Sequence, residues 1–186
     1  MINVGLTSVA DHPELATRGN RSTFSDYAQH FPVLELDTTF YGLKPVEQVR
    51  HWQAQVPSGF QFIIKATRTM TKHEESADTV ADFSKFNDMV APLVASHQLQ
   101  AVLCQFPPYF GVTAENVRYL QQLNRLLPDL PVAIEFRHPS WYLPAYRANT
   151  MALLQAASDI HVIVDEAQTT SGSDVSYTHL RAHETS

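Results

Sequence analysis

Cys104 is the chain's single cysteine, so no disulfide can form within it. Cations are scarce too: 13 Lys and Arg stand against 19 Asp and Glu, for a formal charge of −6 and a pI near 5.8. Proteins that grip phosphate backbones present a clustered cationic face, so nucleic acid is not an expected partner. No apolar run approaches the roughly 20 residues of a membrane span, and the opening Met-Ile-Asn-Val-Gly-Leu lacks the basic and long apolar regions of a secretory signal. A soluble, cytoplasmic protein with no membrane partner is the expectation. Cofactor motifs are missing as well. Gly5-Leu6-Thr7-Ser8 offers no G-x-G-x-x-G after the first apolar run, and the chain has no P-loop. His179 and His183 have a metal-ligand spacing, but they stand in a C-terminal stretch without sustained apolar period, and no Cys/His cluster elsewhere has zinc spacing. No metal and no cofactor are expected.

What is present suits one core: 186 residues, 44% hydrophobic and only 17% charged. Apolar alternation predicts strands over 2–7, 33–42, 60–66, 99–108, 132–137 and 161–165. Helical spacing predicts helices over 23–31, 45–56, 78–97, from 113 to about 128, and 145–158, with Ser22 or Thr23 as a cap for the first. Val80, Phe83, Phe86, Val90, Leu93 and Val94 form the apolar stripe of the third. Strand and helix alternate about six times with connections too long for hairpins, so the strands should be parallel. Each strand has one wholly apolar face and one that turns polar near its C-terminal end. That pattern favours a (β/α) barrel over a doubly wound sheet.

Four strand ends carry a resemblance: D-T-T-F-Y-G at 37–42, K-A-T-R-T-M-T-K-H at 65–73, Q-F-P-P-Y-F at 105–110 and E-F-R-H-P-S-W at 135–141. Together they resemble the domain of unknown function 72, or YecE-like, family of TIM-barrel proteins. The resemblance covers about 1–170 and implies a TIM barrel, with no assigned activity. Asp37 stands where the family often has asparagine. The family barrel has a seventh and an eighth strand, so the expected fold is an incomplete (β/α) TIM barrel with about six parallel strands over 1–170. Residues 171–186 read as a non-family tail, disordered or artefactual, and the chain as C-terminally truncated.

On such a barrel the polar strand ends converge. The candidate catalytic groups are Glu35, Lys65, Glu135, Arg137 and Asp165, and the candidate substrate contacts are Asp37, Tyr41, His73, Gln105, His138 and Trp141. The bland alternative is a structural ion network that pairs Lys65 with Glu35 and Arg137 with Asp165. Glu135 is the leading acid or base, since a carboxyl among carboxylates in a lumen should have a raised pKa. Lys65 would neutralise an anion or, if its own pKa were lowered, form a Schiff base. His138, before Pro139, is a strand-end cap or a substrate contact. Trp141 offers a stacking face for a sugar or base, or packing beneath the loop. Cys104 shares the face of Val102 and Phe106 and reads as inert core.

The function these residues suggest first is an enzyme acting by acid–base chemistry on a small anionic or sugar-like molecule. The runner-up is a metal-dependent phosphodiesterase of the endonuclease kind, which needs more strand-end histidine than His138 supplies. A non-catalytic binding protein and an inactive fragment complete the alternatives. An unclosed barrel should also self-associate through its open sheet edges.

Overall fold

Residues 2–164 are described by the structure, a computed structural model. Within them strands and helices alternate as β1 (Gly5–Leu6), α1 (Phe24–Tyr27), β2 (Val33–Leu36), α2 (Val46–Gln53), β3 (Gln61–Lys65), α3 (Thr79–Ala95), β4 (Leu99–Phe106), α4 (Ala114–Leu126), β5 (Val132–Phe136), α5 (Pro144–Ala157) and β6 (Ile160–His161). The helices begin where side chains can satisfy their first amides. Thr23 and Asp26 exchange hydrogen bonds in a capping box at α1, Asp78 accepts from the amide of Ala81 at α3, Thr113 accepts from that of Asn116 at α4, and Pro144 opens α5.

All six strands are parallel and lie in sequence order in one sheet. Among the described residues the sheet is open, with β1 and β6 each paired on one side only, as in an incomplete TIM-like barrel. Strand alternation divides it into two faces. Leu34, Leu36, Phe62, Ile64, Val102, Cys104, Phe106, Val132, Ile134 and Phe136 face outward into the main core, where Trp52, Phe83, Phe86, Leu93, Leu120 and Leu123 of the helices cover them. Each large apolar side chain buried there contributes about 1.5–3 kcal/mol. The inner face carries a smaller cluster of Ala101, Leu103 and Ala133 with Ile63 and Val162. Cys104 is fully buried and its thiol pKa is pushed up by burial, in keeping with inert core.

Three local expectations are corrected. The first strand is two residues long, not six, and Gly5 is required in it: a Cβ there would lie 2.4 Å from the carbonyl oxygen of Val33. On α3, Val80 is 66% exposed and Val94 is exposed too, because the buried stripe is narrower than the sequence periodicity suggested. The sixth strand starts at Ile160, and its pairing of Ile160 with Ala133 and His161 with Ile134 reverses the expected parity. Val162 therefore joins the inner cluster, while Ile163 is 59% exposed.

Candidate functional site

The inner face turns polar as each strand reaches its C-terminal end. Glu35 pairs across with Ile63, Lys65 with Leu103, and Gln105 with Glu135, so each of these groups shares the parity of the inner apolar cluster. Beyond β2 the chain tightens into a 3-10 turn, Asp37–Thr39. Thr39 pins that turn by donating its hydroxyl to Lys65 O at 2.6 Å, and the turn brings Asp37 Oδ1 to 3.2 Å from Lys65 Nζ. The Lys65 ammonium also stands 5.4 Å from the centre of the Phe40 ring.

At β5, Glu135 is only 5% exposed and its charge is answered locally. Gln105 Nε2 donates to its Oε1 at 2.6 Å, and Arg137 Nε donates to the same oxygen. The ion pairs thus differ from those expected: Lys65 holds Asp37, not Glu35, and Arg137 holds Glu135. Asp165, expected to pair with Arg137, lies outside the described residues.

Glu35 is the carboxyl with the strongest claim to proton chemistry, where the sequence pointed to Glu135. Its pKa is pushed up to about 7, first by burial and then by the charge of Asp37; Lys65 opposes the rise, while Glu135 and a hydrogen bond shared with Asp37 add to it.

Residues on the loops divide between the site and the scaffold. His73 sets its ring edge-on against Phe40, with centroids 4.9 Å apart, and places Nδ1 2.9 Å from Thr71 Oγ1. Burial, followed by the charges of Lys65 and Arg68, holds its pKa below the usual histidine range. Tyr41 is 76% exposed and also sets its ring edge-on to Phe40, with centroids 5.3 Å apart. A cleft of about 170 Å³ opens here between the loops that follow β2 and β3, lined by Phe40, Tyr41, Thr67, Arg68 and Glu74 among others.

His138 instead acts as a strand-end cap: its Nδ1 accepts from the amide of Ser140 at 3.1 Å, and its ring lies so close to Gly111 that a Cβ there would sit 3.0 Å from it. Trp141 is 1% exposed and stacks between Phe136 and Phe110 in the outer core, and its Nε1–H donates to Phe110 O at 2.7 Å. Both ring faces and the one donor are occupied, so packing replaces the substrate contact the sequence allowed. Sequence reasoning missed Phe40, Thr71 and the Arg68–Glu74 ion pair of 2.7 Å. The close spacing of Thr67, Thr71 and His73 in a polar loop was the available signal. Among the described residues no three His, Cys, Asp or Glu side chains are grouped so as to hold a metal ion, and no helix there is long and apolar enough to cross a membrane.

Comparison with known proteins places this geometry in a family. A family model described as "Protein of unknown function DUF72" matches residues 4–185. The UPF0759 protein YunF of Bacillus subtilis (strain 168) is 36% identical over 179 residues, which cover 93% of this chain and 64% of that protein. The UPF0759 protein YecE of Escherichia coli (strain K12) is 30% identical over 159 residues, 81% of this chain and 54% of that one. The chain thus spans between half and two thirds of the length of these relatives. A crystal structure of a DUF72 family protein from Enterococcus faecalis V583 aligns with a TM-score of 0.87 at 38% identity, over 95% of this chain and 66% of that one. A second, from Thermotoga maritima MSB8, shares the fold with a TM-score of 0.71 at 24% identity, over 91% of this chain and 67% of that one. Matched along almost its whole length by the family model, and sharing its fold with solved members, this chain belongs to the DUF72 family.

Proposed function

We propose that the strand-end site performs acid–base chemistry on a small anionic or sugar-like molecule, with Glu35 moving the proton. The observation that carries this reading is a carboxyl pushed up to about 7 on the inner face of a barrel-type sheet, at the end where such folds place their sites. A group that titrates there is present in both forms at neutral pH, so it can give a proton in one step and take it back in another. Lys65 and Arg137 hold the neighbouring charges in place through Asp37 and Glu135.

The metal-dependent phosphodiesterase reading has less to support it, since the described residues lack a grouped set of ligands. A cytoplasmic location belongs to the same proposal, in keeping with a lone, buried cysteine that has no disulfide partner.

The test is a metabolite screen by thermal shift on the full chain, followed by turnover of each hit by wild type and E35Q. The expected result is a small molecule that both proteins bind and only wild type converts. Conversion at an unchanged rate by E35Q would remove Glu35 from the chemistry.

A further inference from the structure

The ionic groups around Glu35 are already matched to one another. Lys65 holds Asp37 at 3.2 Å, Arg68 holds Glu74 at 2.7 Å, and Arg137 holds Glu135. Lys72, on the same loop as His73, is drawn instead to the Tyr119 ring, 4.5 Å from its centre. Each of these three paired cations faces a carboxylate, and among the described residues neither Glu35 nor Asp82, which lines the cleft, has an ion pair. An anion entering here must displace a carboxylate or settle beside Glu35, and both are electrostatically unfavourable. A neutral molecule meets no such opposition.

Hydrogen-bond polarity points the same way. The Thr71 hydroxyl donates its single proton to Thr67 O at 2.9 Å, so toward His73 Nδ1, also 2.9 Å away, its oxygen acts as an acceptor. With the Thr71 proton on Thr67 O, the partner this contact calls for is the Nδ1–H tautomer of His73. Its Nε2 is a bare acceptor with no hydrogen-bond partner among the described residues. Burial first, then the cations Lys65 and Arg68, disfavour a second proton on the ring, and Glu74 alone works against them. An acceptor at His73 and a donor at Lys65 thus flank the Phe40 ring, 4.9 and 5.4 Å from its centre. Exposed Tyr41 extends the apolar surface. Such a surface suits a molecule that presents C–H faces and hydroxyl groups together.

We propose that the ligand of this site is a neutral, hydroxyl-rich, sugar-like molecule, not an anion, and that His73 Nε2 accepts a hydrogen bond from one of its hydroxyls. The inference rests on the acid–base reading for the location of the site and narrows its substrate class.

The experiment is calorimetry and saturation-transfer NMR on the full chain at pH 7, with glucose, xylose and myo-inositol each set beside a phosphorylated or carboxylated counterpart. Neutral probes should bind, and their charged counterparts about tenfold more weakly or worse. H73F keeps an aromatic ring but no acceptor, and should weaken the neutral probes about tenfold, with a melt lowered only by the loss of the bond to Thr71. If H73F does not fold, multiple-bond proton–nitrogen spectra of wild type decide: Nδ1 protonated with Nε2 bare is expected, and the opposite tautomer overturns the proposal. Binding of charged counterparts in preference to neutral parents, or no binding by any neutral probe, also overturns it. Those failures leave the acid–base reading standing. That reading fails separately, if carbon NMR finds no glutamate titrating near 7.

Discussion

Replacing Glu35 by glutamine should stabilise the protein at high pH and leave it unchanged at low pH. Folding raises this carboxyl from 4.5 to about 7. Between those values the folded chain keeps a proton that the unfolded chain has released, so stability falls as pH rises through the window and levels off above it. The gap of roughly 2.5 pH units corresponds to about 3.4 kcal/mol at about 1.36 kcal/mol per unit. Glu35 is only partly buried, and solvent screening reduces the figure to about 1–2 kcal/mol. Glutamine keeps the shape and never ionises, so it removes this loss. Urea unfolding of both proteins from about pH 4.5 to 8.5 measures the difference, which should open across the window and stay open above it. In a thermal melt the same gain raises Tm by roughly 2–8 °C for a chain of this size. A difference that does not vary with pH, or a variant less stable than wild type at about pH 8, would show that Glu35 folds ionised with Lys65 as its true counter-ion.

Three further outcomes are expected. E135Q strips the charge from a buried acceptor of Gln105 and Arg137; because Arg137 is partly open to water, the loss should be about 1–3 kcal/mol, and a double-mutant cycle with R137M should recover most of it as coupling. W141F forfeits the bond to Phe110 O and part of the stack on Phe136, so it should cost about 2 kcal/mol by denaturant unfolding while leaving ligand affinity alone; a change in affinity without a change in stability would return Trp141 to the site. Self-association through the sides of β1 and β6 that are unpaired among the described residues should appear in sedimentation velocity as a mean mass that rises with concentration, and a constant monomer mass would refute it.

The outer core was readable in the sequence because strand alternation is a local property. Leu34 with Leu36, Phe62 with Ile64, and Ile134 with Phe136 all lie on the face that their parity assigns. The inner polar positions Glu35, Lys65, Gln105 and Glu135 followed from the same period. The identity of each partner did not, because it depends on how the chain bends after the strand stops. Asp37 reaches Lys65 only because β2 ends in a 3-10 turn. The contrast between the two glutamates likewise came from surroundings: Gln105 and Arg137 gather at Glu135, while Glu35 has burial and a neighbouring carboxylate. Two-residue β6 was the weakest case, since so short a run has no period to read and its register is set by β5. Trp141 was ambiguous for a related reason: the rings that enclose it come from β5 and from the loop that contains Phe110.

The division of the sheet into an outer apolar face and an inner polar end has a consequence for how such a chain can change. Both faces are written on alternate residues of the same strands, so point substitutions at Glu35, Lys65, Gln105 or Glu135 alter the chemistry and leave the outward packing of Leu34, Ile64, Cys104 and Ile134 untouched. Insertions have no such freedom. One residue added within β5 would turn Glu135 outward among Phe106 and Trp141 and bring Phe136 inside, exchanging site and core together. Descendants of this chain are therefore free to drift letter by letter at fixed inner positions, while gains and losses of length are confined to the loops beyond the strand ends.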